Sequence, residues 1–149
     1  MVRATEGMSS MHVDRPRESA GARRRRALFE EALTLIEVSY PDDQLTVDDL
    51  SDRIFSSRRQ LQRAFAEAGT SVQERLHAVR MQHAAELLHE SQLPVAQVAR
   101  RVGYRQPPQF AKAFRRHYGR TPSQWRSEPG RRTRVGTLPR RLDRLAVPA

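Results

Sequence analysis

The sequence predicts an all-α fold in which two helix-turn-helix lobes share a long central helix. Three observations predict it. Two segments, Leu45 to Phe65 and Leu93 to Phe114, each spell a short amphipathic helix, a tight turn and a second helix whose exposed face carries Arg, Gln or Lys. Between them, Val72, Leu76, Val79, Ala84, Leu87 and Leu88 keep a helical apolar spacing. The length of 149 residues suits one compact domain or two very small lobes with a connector.

Met1 to about Gly21 mixes small, polar and charged residues around Pro16 without an apolar period, and reads as a flexible arm, residues 1–21. A helix begins at about Ala22, with Leu28, Phe29, Ala32, Leu33, Leu35 and Ile36 as a wide apolar stripe. It ends near Ser39, because Pro41 disfavours helix in Tyr40. Arg23 to Arg26 stand at its start, where the helix dipole does not favour cations. A frayed, solvated basic turn is the plain reading of that misfit, and a phosphate contact the functional one.

Thr46 and Asp49 form a capping box, with Asp in place of the usual Glu or Gln, and Val47, Leu50 and Ile54 then face a core. Ser56 and Ser57 can cap the next helix. In it Leu61 and Phe65 lie inward at an i, i+4 spacing, while Arg58, Arg59, Gln62 and Arg63 point outward as a reading head. Gly69 closes that helix, and a second capping box, Ser71 with Glu74, opens the long connector to about His89. Pro94, at a first helical position, opens a helix from Val95 to Val102, and Gly103 supplies the left-handed residue that a sharp helix end prefers. The second reading helix runs from about Gln106 to His117, ending before Gly119. Thr121 to Trp125 form a last capped turn that docks an aromatic ring on the second lobe. Residues 128–149 return to Arg, Pro and Gly without a sustained period, apart from Leu138, Leu142 and Leu145, and read as a mostly disordered basic tail.

Charge points to a polyanionic partner independently of these motifs. The chain carries 27 Lys+Arg against 17 Asp+Glu, a formal +10. Between Glu90 and Glu128 there is no acidic residue, while Arg100, Arg101, Arg105, Lys112, Arg115, Arg116, Arg120 and Arg126 fall in that stretch. Such a single-sign field supplies the phosphate-neutralising part of nucleic-acid affinity. Lys112 is the only lysine, and Arg suits bidentate recognition of phosphate or guanine.

The absence of cysteine excludes disulfides, thiolate zinc sites and thiol nucleophiles, and fits a reducing cytosol. No apolar run approaches the ~18 residues of a membrane span, so no membrane partner is expected. His77, His83 and His89 recur every six residues, which does not put them on one helix face as metal ligands require. No glycine-bounded nucleophile, phosphate-cradling loop or metal motif is present, so neither an enzyme nor a cofactor is expected. Trp125 and the Phe110 and Phe114 pair sit at core spacing, which favours packing over base stacking.

The segment from Leu45 to Arg126 resembles the DNA-binding domain of the AraC/XylS family of transcriptional regulators. The resemblance is strongest in LPVAQVARRVGYRQPPQFAKAFRRHYGRTPSQWR, from Leu93 to Arg126, through Ala99, Gly103, Tyr104, Phe110, Phe114 and the Gly119, Thr121, Pro122 ending. It implies a two-lobed domain of about seven helices, residues 22–127, that sets a reading helix of each lobe into successive major-groove segments of B-DNA. The family's base-reading positions fall on Arg59, Gln62 and Arg63 in the first lobe and on Pro107, Pro108, Gln109 and Lys112 in the second. Ser57, Arg58, Arg105, Arg115 and Arg116 are the expected phosphate contacts. Arg can pair with guanine O6 and N7, and Gln with adenine N6 and N7.

Two departures from the family pattern carry expectations of their own. Pro107 and Pro108 stand where the family has hydrogen-bonding side chains, and proline brings no donor, so direct readout by the second lobe should be poorer. Both are tolerable in a first helical turn. Phe55 stands at a turn position where the family commonly has Gly. A left-handed Phe is strained, so the expectation is a turn built differently or a Phe55 packed into the lobe interface.

The expected function is therefore that of a sequence-specific regulator of transcription on double-stranded DNA. Its alternatives are a basic architectural protein or a module that contacts RNA polymerase. The chain resembles the family's free-standing members, which implies a monomer, with a fragment of a longer regulator as the alternative. The lack of a membrane span leads to the expectation of a cytoplasmic, nucleoid-associated protein, and the lack of room for a second domain to that of no effector.

Overall fold

A computed structural model of the chain describes residues 19–128, all-helical among them. Seven helices follow in order: α1 (Ala20–Ser39), α2 (Val47–Arg53), α3 (Arg58–Glu67), α4 (Val72–Glu90), α5 (Val95–Arg101), α6 (Pro107–Tyr118) and α7 (Pro122–Ser127). Residues 1–18 of the expected arm and residues 129–149 of the expected tail, with its Leu138, Leu142, Leu145 spacing, lie outside the described residues.

Local caps explain most helix starts. Thr46 with Asp49, Ser57 with Gln60, Ser71 with Glu74 and Thr121 with Gln124 all form reciprocal capping boxes, each satisfying two backbone donors that a helix start leaves open. Two starts differ from the sequence reading. α1 begins at Ala20 rather than about Ala22, because Ser19 Oγ accepts from the Ala22 backbone N–H; the last residues assigned to the arm are thus helical. Pro94 is the residue before α5 and not its first helical residue, with an extended ψ of 143°.

Apolar side chains divide between two cores. The first joins Ala32 and Ile36 of α1, Val47 and Leu50 of α2, Leu61 and Phe65 of α3, and Val72, Leu76 and Val79 from the first half of α4. The second joins Met81, Ala84, Ala85 and Leu88 from the rest of α4 with Val98 and Ala99 of α5, Phe110 and Phe114 of α6, and Trp125 of α7. Successive faces of one helix therefore complete both lobes. Leu87, expected inside, is only partly buried, and Met81 is buried in its stead. Phe114 is ringed by Phe110, Tyr118 and Trp125 at centroid distances of 5.7, 4.8 and 5.7 Å, so the aromatic residues of this lobe are packing residues.

Both motifs use the same turn. Ile54 and Val102 end their helices with nearly equal dihedrals, and Ser56 N–H donates to Ser51 O as Tyr104 N–H donates to Ala99 O, both at 2.9 Å. The residue between is left-handed in each: Gly103 at φ +85° and Phe55 at φ +51°. Phe55 thus corrects both expectations made for it. The turn is not rebuilt, and the ring is not in the lobe interface but 98% exposed. Open space around the ring lets this position hold a side chain. At Gly103 an added Cβ would stand 2.6 Å from the Tyr40 carbonyl oxygen, so only glycine fits there.

Candidate nucleic-acid interface

α3 is positioned by its inward face. Leu61 and Phe65 are fully buried, and Phe65 meets Phe29 of α1 edge-on at 4.8 Å. That orientation leaves Ser57, Arg58, Arg59, Gln62 and Arg63 exposed along the outer face. Arg59 and Gln62 make no side-chain hydrogen bond or ion pair with other described residues, so their donors face solvent. Arg58 and Arg63 are already engaged. Arg58 Nη1 donates to Asp48 of α2 at 3.0 Å, and Arg63 Nε donates to Glu67 at 3.4 Å.

Glu67 is shared. Its other carboxylate oxygen accepts from Arg25 Nε at 2.6 Å, and this guanidinium, followed by Arg63, holds the Glu67 carboxyl below its ordinary pKa. Of the four arginines opening α1, Arg25 is therefore a tie to the end of the reading helix. Sequence reasoning missed this pair, since nothing local relates residues 42 positions apart.

α6 is positioned in the same way by Phe110 and Phe114. Pro108, Gln109, Lys112, Arg115 and Arg116 are exposed, whereas Pro107 is partly buried and offers less surface than the sequence reading gave it. Pro107 and Pro108 occupy the first two helical positions, where no intrahelical N–H bond is lost. The α6 start has no side-chain cap. Arg105, expected on phosphate, is ion-paired with Asp43 of the loop after α1, and that arginine is the main cause of the lowered Asp43 pKa.

The two reading faces differ in electrostatics. α2 places Asp48 and Asp49 in its first turn beside the first reading helix. The corresponding helix of the second lobe, α5, has no acid in its first turn and ends on Arg100 and Arg101. Phosphate attraction should therefore be stronger at the second lobe, and hydrogen-bonding variety is greater at the first.

Behind α6 lies a partly buried polar cluster. His77 Nδ1 is 3.0 Å from the Tyr104 hydroxyl, and the His77 and His117 rings meet edge-on at 5.5 Å. Burial lowers the pKa of both imidazoles, with the neighbouring His117, Arg116 and Arg80 adding to the effect at His77. Burial also pushes the Tyr118 hydroxyl up to about 12. No helix among the described residues is long and apolar enough to cross a membrane.

Comparison with known proteins agrees with this architecture. The family described as "Helix-turn-helix domain" matches residues 50–128. The transcriptional regulator MtrA of Neisseria gonorrhoeae is 33% identical over 96 residues, covering 64% of this chain and 32% of MtrA. A transcriptional regulator from Chromobacterium violaceum with an AraC-type DNA-binding domain superposes with a TM-score of 0.63 at 28% identity, over 75% of this chain and all of that one. The DNA-binding domain of AdpA, solved in complex with a target DNA, superposes with a TM-score of 0.61 at 30% identity, over 66% of this chain and 88% of that one. The chain spans about a third of the length of the curated relatives it matches. With the family match extending over more than half of its residues and the two-lobed neighbours sharing its fold, the chain belongs to the AraC-type helix-turn-helix family of DNA-binding transcriptional regulators.

Proposed function

We propose that the chain regulates transcription by binding a specific duplex site of roughly 20 base pairs, with α3 and α6 in successive major-groove segments about one helical turn apart. One observation carries this reading. The same helix-turn-helix geometry occurs twice on one continuous α4, and each copy turns a polar or basic face outward. In the first lobe Arg59, Gln62 and Arg63 contact base edges, and Ser57 and Arg58 contact phosphate. In the second, Gln109 and Lys112 are the hydrogen-bonding contacts, Pro107 and Pro108 give apolar contact, and Arg105, Arg115 and Arg116 neutralise phosphate.

The binding unit is a monomer acting in the cytoplasm on the nucleoid, and it carries out no catalysis. Among the described residues, exposed Val38 and Phe55 are the large apolar side chains open to a protein partner such as RNA polymerase. Competition binding tests the reading against a general charge-driven coat. A duplex selected by the chain should bind ~10³- to 10⁷-fold tighter than scrambled DNA. Equal affinity for both would identify an architectural protein instead.

A further inference from the structure

The two lobes meet at a joint built around one arginine. Arg80, midway along α4, directs Nε to the carbonyl oxygen of Tyr40 at 2.9 Å and Nη2 to that of Asp42 at 2.7 Å. One planar guanidinium thus holds the loop that leaves α1, 38 to 40 residues away in sequence. On the side of the second lobe, the same guanidinium lies 5.7 Å from the centre of the Tyr104 ring. Gly103 closes the gap: a Cβ there would come within 2.8 Å of Arg80 Nε and Nη2.

Two further struts join the same places. The Asp43 carboxylate pairs with Arg105, which stands two residues before the start of α6. The Tyr40 ring stacks on His83 of α4 with centroids 4.2 Å apart and planes inclined by 2°. Residues 40 to 43 of the first lobe are therefore tied both to the shared helix and to the turn that launches the second reading helix.

We propose that this joint, with Arg80 as its positioning residue, sets the spacing between the two half-sites that the chain accepts. The inference rests on the proposed two-lobed recognition of DNA. Two linked binding units gain avidity only when the connection lets both engage at once. Each base pair inserted between half-sites moves the second by about 3.4 Å and turns it by roughly 35° around the duplex. A loose joint can follow that displacement. A joint with two short hydrogen bonds and no room for a methyl group cannot, so one lobe must let go.

The test uses the full chain and the duplex it selects from random DNA, alongside versions with one base pair inserted or removed between the halves. For the parent chain each change should weaken binding on the order of 10²-fold, the usual scale of lost bivalency. For Arg80→Gln with its helical circular dichroism intact, the penalty should shrink to less than about 10-fold, even if affinity for the selected duplex falls. A uniform loss at every spacing, with the penalty unchanged, would mean that Arg80 only stabilises the fold, and would overturn the proposal. If Arg80→Gln does not fold, Arg80→Lys, which keeps the charge but loses the planar fork on the two carbonyls, decides by the same ratio: a reduced penalty supports the joint and an unchanged one overturns it. A parent chain that selects no sequence would instead overturn the parent reading, and this inference with it.

Discussion

Arg63 and Glu67 face each other across one turn of α3, Nε to carboxylate oxygen 3.4 Å apart, so an expected base reader is held by an acid on its own helix. Arg25 competes for the same carboxylate from α1 at a shorter distance. Glu67 thereby both restrains Arg63 and lowers the positive field at the end of the reading helix. Glu67→Gln should raise affinity for all duplexes, steepen the salt dependence by up to about one contact, and reduce the ratio between selected and scrambled DNA. Titrations at several salt concentrations check this, and an unchanged slope would rule out the role given to Glu67.

Arg59 has an unoccupied guanidinium on the outer face of α3, whereas Arg115 lies in the last turn of α6 within the acid-free stretch. Arg59→Ala should cost ~1 to 3 kcal/mol on the selected duplex and relax preference at one base pair. Arg115→Ala should weaken all sequences alike and reduce the salt slope by ~0.9. Equal losses on selected and scrambled DNA for Arg59→Ala would show that it contacts phosphate.

Phe55 and Gly103 occupy the same place in their two turns and should respond oppositely to exchange. Phe55 is left-handed and exposed, so Phe55→Gly relieves strain while sacrificing almost no packing, and should raise unfolding stability by about 1 kcal/mol. Gly103→Ala adds a strained residue and drives a methyl group against the Tyr40 carbonyl, and should lose roughly 2 kcal/mol or more. Denaturant unfolding measures both, and a destabilised Phe55→Gly would show that the ring makes a contact worth more than its strain.

The cluster behind α6 makes stability depend on pH. The folded pKa values of His77 and His117 lie below the ordinary 6.5, mainly through burial, so the unfolded chain takes up protons first as pH falls. Stability should be complete above about pH 6.5 and decline below it until the folded imidazoles also protonate. Thermal unfolding between pH 8 and 5 should show that decline, and His77→Gln with His117→Gln should flatten it. An equal slope in the double variant would place the titrating groups elsewhere.

The sequence was most readable where an interaction is local. Capping boxes at Thr46, Ser71 and Thr121 join residues three apart, and Gly103 sits at a helix end, so a short window holds the whole signal. The outward faces of α3 and α6 follow from helical period for the same reason. Arg80 on the Tyr40 and Asp42 carbonyls, Asp43 on Arg105 and Arg25 on Glu67 were not readable, because partners 38 to 62 residues apart meet only once the helices have packed. An arginine bound to main-chain carbonyls leaves no complementary residue type in the sequence. Arg105 shows the consequence: its charge was readable in the sequence, and its ion pair with Asp43 was not.

On the proposed reading, the first lobe reads bases while the second, bearing Pro107 and Pro108, anchors. Selection of bound sites from random duplex DNA measures it directly. The selected sequences should form one continuous site of roughly 20 base pairs, with sharp base preferences in the half under α3 and weak ones in the half under α6. Orientation follows from cleavage by a reagent tethered beside α3, and Lys112→Ala should lower overall affinity without changing the preferred sequence. A profile whose strongest preferences lie under α6 would make the proline-bearing helix the reader and overturn that division of labour.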